Sequence, residues 1–190
     1  MTSEKTALRR RIRAARKQAA ADLPPGEAGG RLVQHSRAVG PLAKSATVAG
    51  YWPVASEMDP RPLMEHWRAA GHPLCLPYSR QRGAPFEFRP YAPGAALAPD
   101  AVGIPSPLID APLLLPDIIM VPLLGFDRSG GRLGNGAGFY DISLAALRAE
   151  RGVLAIGIAY AVQESADLPV ETHDQPLDWV LTESEAIKCR

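Results

Sequence analysis

The sequence predicts an α/β fold, a single domain over residues 1–190 with a mostly parallel sheet flanked by helices. Three observations carry this expectation. Segments with the apolar pattern of strands alternate along the chain with segments rich in helix formers. Two continuous apolar runs, residues 116–124 and 153–160, suit central strands buried on both faces. Gly (17) and Pro (19) are frequent among the 190 residues, which calls for short elements and many turns. A chain of this size buries roughly 70% of its unfolded surface, so its core needs no disulfide or metal staple.

Each element has its own reason. Residues 4–20 contain no Pro or Gly, and Leu8, Ile12 and Ala15 recur at i, i+4 and i+7. They form a helix with one narrow apolar face, ended by Pro24, Pro25 and Gly26. A second helix over about 27–39 is weakened by Gly29 and Gly30. Residues 47–54 read as a strand running into a loop. Residues 60–70 read as a helix with Pro near its first turn and Gly71 after its end. Residues 73–78 form a short strand, and the alternating residues 86–91 another. Residues 92–112 hold five prolines and few charges and read as an irregular surface excursion. After the buried strand 116–124 comes a glycine-rich segment, 125–138, then a helix over 139–151 closed by Gly152. Strand 153–160 follows, and 179–182 is the last short strand.

Composition excludes several function classes. The formal net charge of +1 provides no overall field toward nucleic acid or membranes. Six of the 21 Lys and Arg residues lie in residues 9–17, as Arg9, Arg10, Arg11, Arg13, Arg16 and Lys17. Without a second basic patch or interleaved aromatics, most of these read as a solvated helix face, not a nucleic-acid site. Cys75 and Cys189 form no metal-ligand or disulfide pattern, which fits a reducing, cytoplasmic setting. No apolar signal-peptide run follows the basic start. The most apolar stretch, residues 113–126, is broken by Pro116, Asp117 and Pro122 and is too short to span a bilayer.

The densest chemical signal is FDRSGGRLGNGAGFYD, residues 126–141, between a buried strand and a helix. Ligands of open α/β sheets sit at the carboxyl ends of strands, where this loop belongs. Gly134, Gly136 and Gly138 stand at every second position, so backbone N–H groups can turn inward around an anion. The following helix aims its positive end at the same point. Arg132 adds a planar donor suited to phosphate. Asp141 beside a phosphate makes sense if a divalent metal bridges the two. The segment is neither a P-loop nor the dinucleotide fingerprint, and a tight strand-to-helix turn is its plainer reading. Lys5 and Arg9, four apart on the first helix, share a face that can reach a cleft. Asp174 of the Glu171-Thr172-His173-Asp174 segment is a candidate second metal ligand facing Asp141, whereas His173 reads as a hydrogen-bonded loop residue. His35, His66 and His72 read as surface residues. Trp52 and Glu57, near the end of the first strand, are placed to stack on a flat ring and accept its N–H donors. A core Trp with an exposed acidic loop is the plainer alternative.

These residues resemble those of a known family. RLGNGAGFYD, residues 132–141, is similar to the Arg-Leu-Gly-x-Gly-x-Gly-Tyr-Tyr-Asp signature of 5-formyltetrahydrofolate cyclo-ligases. The upstream VPLLGFDRSGGRLG, the start Lys5-x-x-Leu8-Arg9, the position of Glu57, Leu76-Pro77 and the Asp174 segment follow in the family's order. The resemblance implies an α/β sheet of the type shared with sugar-phosphate isomerases and CoA transferases. It also implies conversion of 5-formyltetrahydrofolate to 5,10-methenyltetrahydrofolate with ATP and Mg²⁺. By position, Lys5 and Arg9 would hold ATP together with Arg132, Leu133, Gly134, Asn135, Gly136, Ala137, Gly138, Phe139 and Tyr140. Arg132 and Tyr140 would serve the chemical step, and Asp141 and Asp174 would hold Mg²⁺. Trp52, Glu57 and the stretch Asn135, Gly136, Ala137, Gly138, Phe139 would contact the folate. The implied partners are small molecules, with no nucleic acid or membrane, and a monomer is expected. Four positions depart from the pattern. Phe139 replaces a Tyr, Asn135 stands where larger residues are common, Ile142 replaces Arg, and Ser106 stands where Glu is frequent.

Overall fold

The computed structural model describes residues 3–166, 168–169 and 171–189. Helix α1 (Ser3–Asp22) ends just before the Pro24-Pro25 pair, and α2 (Glu27–Ser36) passes into a 3-10 turn over Arg37–Val39. Then come β1 (Val48–Ala49), α3 (Arg61–Ala69), β2 (Leu74–Tyr78) and β3 (Glu87–Pro90). The middle of the chain holds β4 (Leu97–Pro99), β5 (Pro105–Pro107), β6 (Ile118–Pro122), β7 (Gly125–Phe126) and β8 (Arg132–Leu133). Helix α4 (Phe139–Glu150), β9 (Leu154–Ile158), β10 (Trp179–Leu181) and β11 (Ala186–Lys188) complete the order.

Seven strands form the main sheet in the order β11-β10-β9-β6-β1-β2-β3. The inner five run parallel, and β3 and β11 add antiparallel to the two margins. Successive side chains of a strand point to opposite faces, and the core divides accordingly. Ile118 and Met120 pack with Leu32 of α2 and Leu63, Met64 and Trp67 of α3. Ile119 and Val121 pack with Leu144 and Leu147 of α4 on the other face. The apolar runs at β6 and β9 are thus the centre of the sheet, covered by helices on both sides. Gly29 of α2 lies against Pro62 at the first turn of α3, where a Cβ would come within 2.5 Å of the proline ring.

Four features differ from the sequence reading. Residues 92–112 are not irregular throughout. They hold the β4–β5 antiparallel pair, fastened by the Asp100 carboxylate, which accepts from the N–H groups of Ser79, Val102 and Ile104. Proline is tolerated in such an edge ribbon because the missing N–H faces away from the pairing. Within the glycine-rich segment, β7 and β8 pair around a turn whose Ser129 and Gly131 N–H groups donate to Asp127. The strand at 179–182 is followed by one more, β11. Two histidines read as surface residues are ties: His35 Nδ1 lies 2.9 Å from Thr182 O, and His72 Nδ1 lies 3.2 Å from Ala46 O. Cys75 and Cys189 are free thiols. No described helix is long and apolar enough to cross a membrane.

Candidate active site

From the carboxyl end of the central strand β6 the chain passes through the β7–β8 pair and reaches the start of α4 by the loop after β8. Gly136 (φ 99°) and Gly138 (φ 72°) take left-handed backbone angles that side-chain-bearing residues seldom adopt. Gly138 is the N-cap residue of α4, with no side chain to cover the first N–H groups of the helix. The free amides and the positive end of the helix macrodipole therefore face one opening. That opening is a cleft of about 880 Å³, and every residue assigned to the site from the sequence lines it, from Lys5 to Asp174.

Helix α1 runs along the loop. Arg9 Nε donates to Gly134 O at 3.1 Å, and Arg13 Nη2 donates to Asn135 Oδ1 at 3.2 Å. Lys5 forms an ion pair with Glu171 across the mouth of the cleft. Arg13 escapes the sequence reading, although its place four residues after Arg9 is the signal that finds it.

Arg132, a donor suited to phosphate, lines the cleft with donors already engaged. Its guanidinium is buried, and burial lowers its pKa against the support of Asp141 and Asp174. Nη1 donates to Gln175 O and Nη2 to Asp141 Oδ1, the latter at 2.5 Å. Gln175 N also donates to Asp141 Oδ1, at 3.0 Å. Both hydrogen bonds end on one oxygen, so Asp141 Oδ2 has no hydrogen-bond donor among the described residues. Asp174 Oδ2 accepts from Glu171 N at 2.8 Å, and His173 is exposed beside it. Asp141 and Asp174 both line the cleft, and no cluster of three or more His, Cys, Asp or Glu that would hold a metal occurs among the described residues. This donor set fits Mg²⁺, which takes one or two carboxylates and completes its shell with phosphate and water.

The opposite wall begins at the end of β1. Residues 54–57 form a closed turn. Glu57 N donates to Val54 O at 3.1 Å, and Val54 N donates to Glu57 Oε2 at 3.0 Å. Burial pushes the Glu57 carboxyl above the ordinary carboxylate range, while the Val54 N–H, Arg16 and Asn135 pull it back. Trp52 carries the Arg61 guanidinium 5.1 Å from its ring centroid, and Asp59 holds that Arg in a forked ion pair, Nε to Oδ1 and Nη2 to Oδ2. Phe139 stacks on Phe86 with centroids 5.0 Å apart, and Tyr140 meets Phe86 edge-on at 5.1 Å. Burial raises the Tyr140 phenol well above its usual value, so it remains a proton donor at neutral pH. Phe86 N donates to Ser143 Oγ at 2.8 Å, which pins the aromatic cluster to α4. Arg82, Phe86, Asp100, Val102 and Ile104 form a far wall that the sequence reading does not contain. Its residues come from the 79–86 loop and the β4–β5 ribbon, which no contiguous motif marks.

Comparison with known proteins agrees with this architecture. Residues 1–183 match the 5-formyltetrahydrofolate cyclo-ligase family. The 5-formyltetrahydrofolate cyclo-ligase of Mycolicibacterium smegmatis is 35% identical over 149 residues, covering 74% of this chain and 75% of the relative. That of Escherichia coli K12 is 34% identical over 153 residues, covering 76% and 82%. The solved structure of Aquifex aeolicus 5,10-methenyltetrahydrofolate synthetase superposes with a TM-score of 0.75 at 27% identity, over 98% of this chain and 93% of that one. A match over nearly the whole length, the shared fold and the glycine loop at the strand tips together place this chain in the 5-formyltetrahydrofolate cyclo-ligase family.

Proposed function

We propose that this protein, acting as one domain over residues 1–190 and as a monomer, converts 5-formyltetrahydrofolate to 5,10-methenyltetrahydrofolate at the expense of ATP. The observation that supports this most is the gathering of an anion-binding loop, two acidic residues and an aromatic-acidic wall on one cleft. Family membership supports the substrate.

The reaction has a simple chemical requirement. A formamide oxygen leaves poorly, and taking the γ-phosphoryl group of ATP turns it into phosphate, which leaves readily. The neighbouring N10 amine then attacks the formyl carbon and closes the five-membered ring. Such a transfer needs positioning and charge stabilisation more than a protein nucleophile. In this reading Lys5, Arg9 and the amides of the loop from Leu133 through Gly134, Asn135, Gly136, Ala137 and Gly138 to Phe139 receive the triphosphate. Glu171 holds Lys5 at the cleft mouth until phosphate displaces it. Tyr140 donates its phenolic hydrogen bond toward the transferring group. Arg132 acts through its charge and by fixing Asp141. Asp141 and Asp174 would hold Mg²⁺, which supplies charge neutralisation on the phosphates when bound. Trp52 offers the ring face not covered by Arg61 to the pterin, and Glu57 accepts ring N–H donors. Phe139 lines the folate with its stacked partner Phe86 behind it.

The test is spectrophotometric. With 5-formyltetrahydrofolate, ATP and Mg²⁺ the methenyl-folate absorbance grows, and omission of any one of the three abolishes the growth. ATP turnover with no response to the formyl folate would mean that a different ligand is the substrate.

A further inference from the structure

Arg16 of α1 is a buried cation, 4% exposed, that lies outside the cleft lining and that the proposed reaction leaves without a task. A guanidinium removed from water is costly unless it is paired or fully hydrogen-bonded. Arg16 is neither. Its Nε donates to Ser56 Oγ at 3.2 Å, but Nη1 has no hydrogen-bond partner among the described residues. That nitrogen sits 3.9 Å from Glu57 Oε1. Ser56 and Glu57 belong to the one turn in which Ala55 has a φ of 55°, a left-handed angle that a residue with a Cβ seldom takes. A strained turn persists where its surroundings fix it, and Arg16 is the side chain from α1 that reaches it.

The spacing has a chemical meaning. A forked Arg–carboxylate pair would occupy both Glu57 oxygens. Here the Val54 N–H holds Oε2, and the cation faces Oε1 without hydrogen-bonding to it. The carboxylate is steadied, yet one oxygen retains its lone pairs for a ligand. On the other flank Arg13 Nη2 takes Asn135 Oδ1, and Asn135 lies near enough to Glu57 to help hold it ionised. Asn135 is one of the positions that depart from the family pattern, so this flank belongs to this chain's own residues.

We propose that Arg16 is a positioning residue for Glu57: it pins the 54–57 turn through Ser56 and faces the carboxylate from behind, so that Glu57 presents one free oxygen to the ring N–H groups of the folate. The inference rests on the proposed function, and its test separates the two. Arg16→Met, Glu57→Gln and the double variant form a cycle read as KM and kcat. Arg16→Met raises the KM for 5-formyltetrahydrofolate by about tenfold or more, the size of a lost hydrogen bond to a charged group, with the KM for ATP unchanged. In the Glu57→Gln background the same substitution changes the folate KM less than twofold, because its route of action is already gone. Arg16→Lys restores part of the affinity.

The pH profile provides a second readout. The titratable groups around Glu57 are Arg16 from α1, Tyr51 at the end of β1 and Tyr140 on α4. Removing the cation that faces Oε1 makes Glu57 harder to ionise, so the acidic limb of kcat/KM moves to higher pH in Arg16→Met. A guanidinium whose charge Glu57 does not feel would leave that limb in place. Multiplying penalties in the double variant, or a rise in the KM for ATP instead, would overturn the proposal. If Arg16→Met fails to fold, Ser56→Ala replaces it in the cycle with the same expectation. The cycle is also read as folate Kd from tryptophan fluorescence, so a protein that binds without turnover still decides the role of Arg16.

Discussion

Glu57 is where stability and the proposed role oppose one another at the level of a single side chain. Its folded-state pKa lies above the unfolded one because burial outweighs its hydrogen bonds and the facing arginine. The folded protein therefore holds the proton more tightly than the unfolded chain, and stability falls as pH rises through the window above 4.5. At pH 7 the ionised carboxylate is a net cost. Glu57→Gln, which keeps the shape and removes the charge, raises Tm at pH 7, and the gain shrinks as pH approaches 4.5. Thermal unfolding at several pH values checks this, and an unchanged or lowered Tm at pH 7 would mean that Arg16 already compensates the burial. The sequence marks Glu57 as a candidate by its place after the first strand. It does not mark Arg16, seven residues beyond Arg9 on the helix, because a buried arginine and a solvated one look alike in a basic run. The same ambiguity hides the commitment of Arg132 to Gln175 and Asp141, which only the return of residues 171–175 toward α4 creates.

Adjacent glycines in one helix make opposite contributions at the level of elements. The sequence reading treats both Gly29 and Gly30 as weak points of α2, on propensity alone. Gly29 is instead the contact through which α2 meets α3, since a Cβ there would lie 2.5 Å from Pro62 Cγ, and a proline ring cannot swing aside. Gly29→Ala should therefore cost about 1–3 kcal/mol by overpacking. Gly30 faces open space, and Gly30→Ala should gain about 0.5–1 kcal/mol from helix propensity. Urea midpoints of the two variants decide this, and shifts of the same sign would contradict the packing assigned to α2 and α3. Helices and buried strands are legible from periodicity because their burial is local and repetitive. The β4–β5 ribbon is not, because its prolines signal irregularity and its order comes from Asp100 gathering three N–H groups. β11 is similarly silent, being three residues whose strand character depends on β10 beside it.

On the scale of the whole molecule, the cleft draws its walls from residues as far apart as Lys5 and Asp174, so a ligand bound there would contact several elements at once. A ligand that binds only the folded state stabilises it by mass action, by about 2.7 kcal/mol at one hundred times Kd. For a domain of this size that is a rise in Tm of roughly 5–11 °C. ATP with Mg²⁺ should produce it, and Asp141→Asn should diminish the part that depends on Mg²⁺. No shift at saturating nucleotide would contradict the ATP assignment. Residues 132–141 are legible as a site because ten consecutive positions carry the anion loop, its cation and its acid. The far wall is not legible, because Arg82, Phe86 and Ile104 meet only when distant strands pair. The bridge from Lys5 to Glu171 joins two segments 166 residues apart, so it closes only once the sheet between them is in place. Salt, which screens a partly exposed ion pair, should therefore loosen the mouth of the cleft while leaving the core intact.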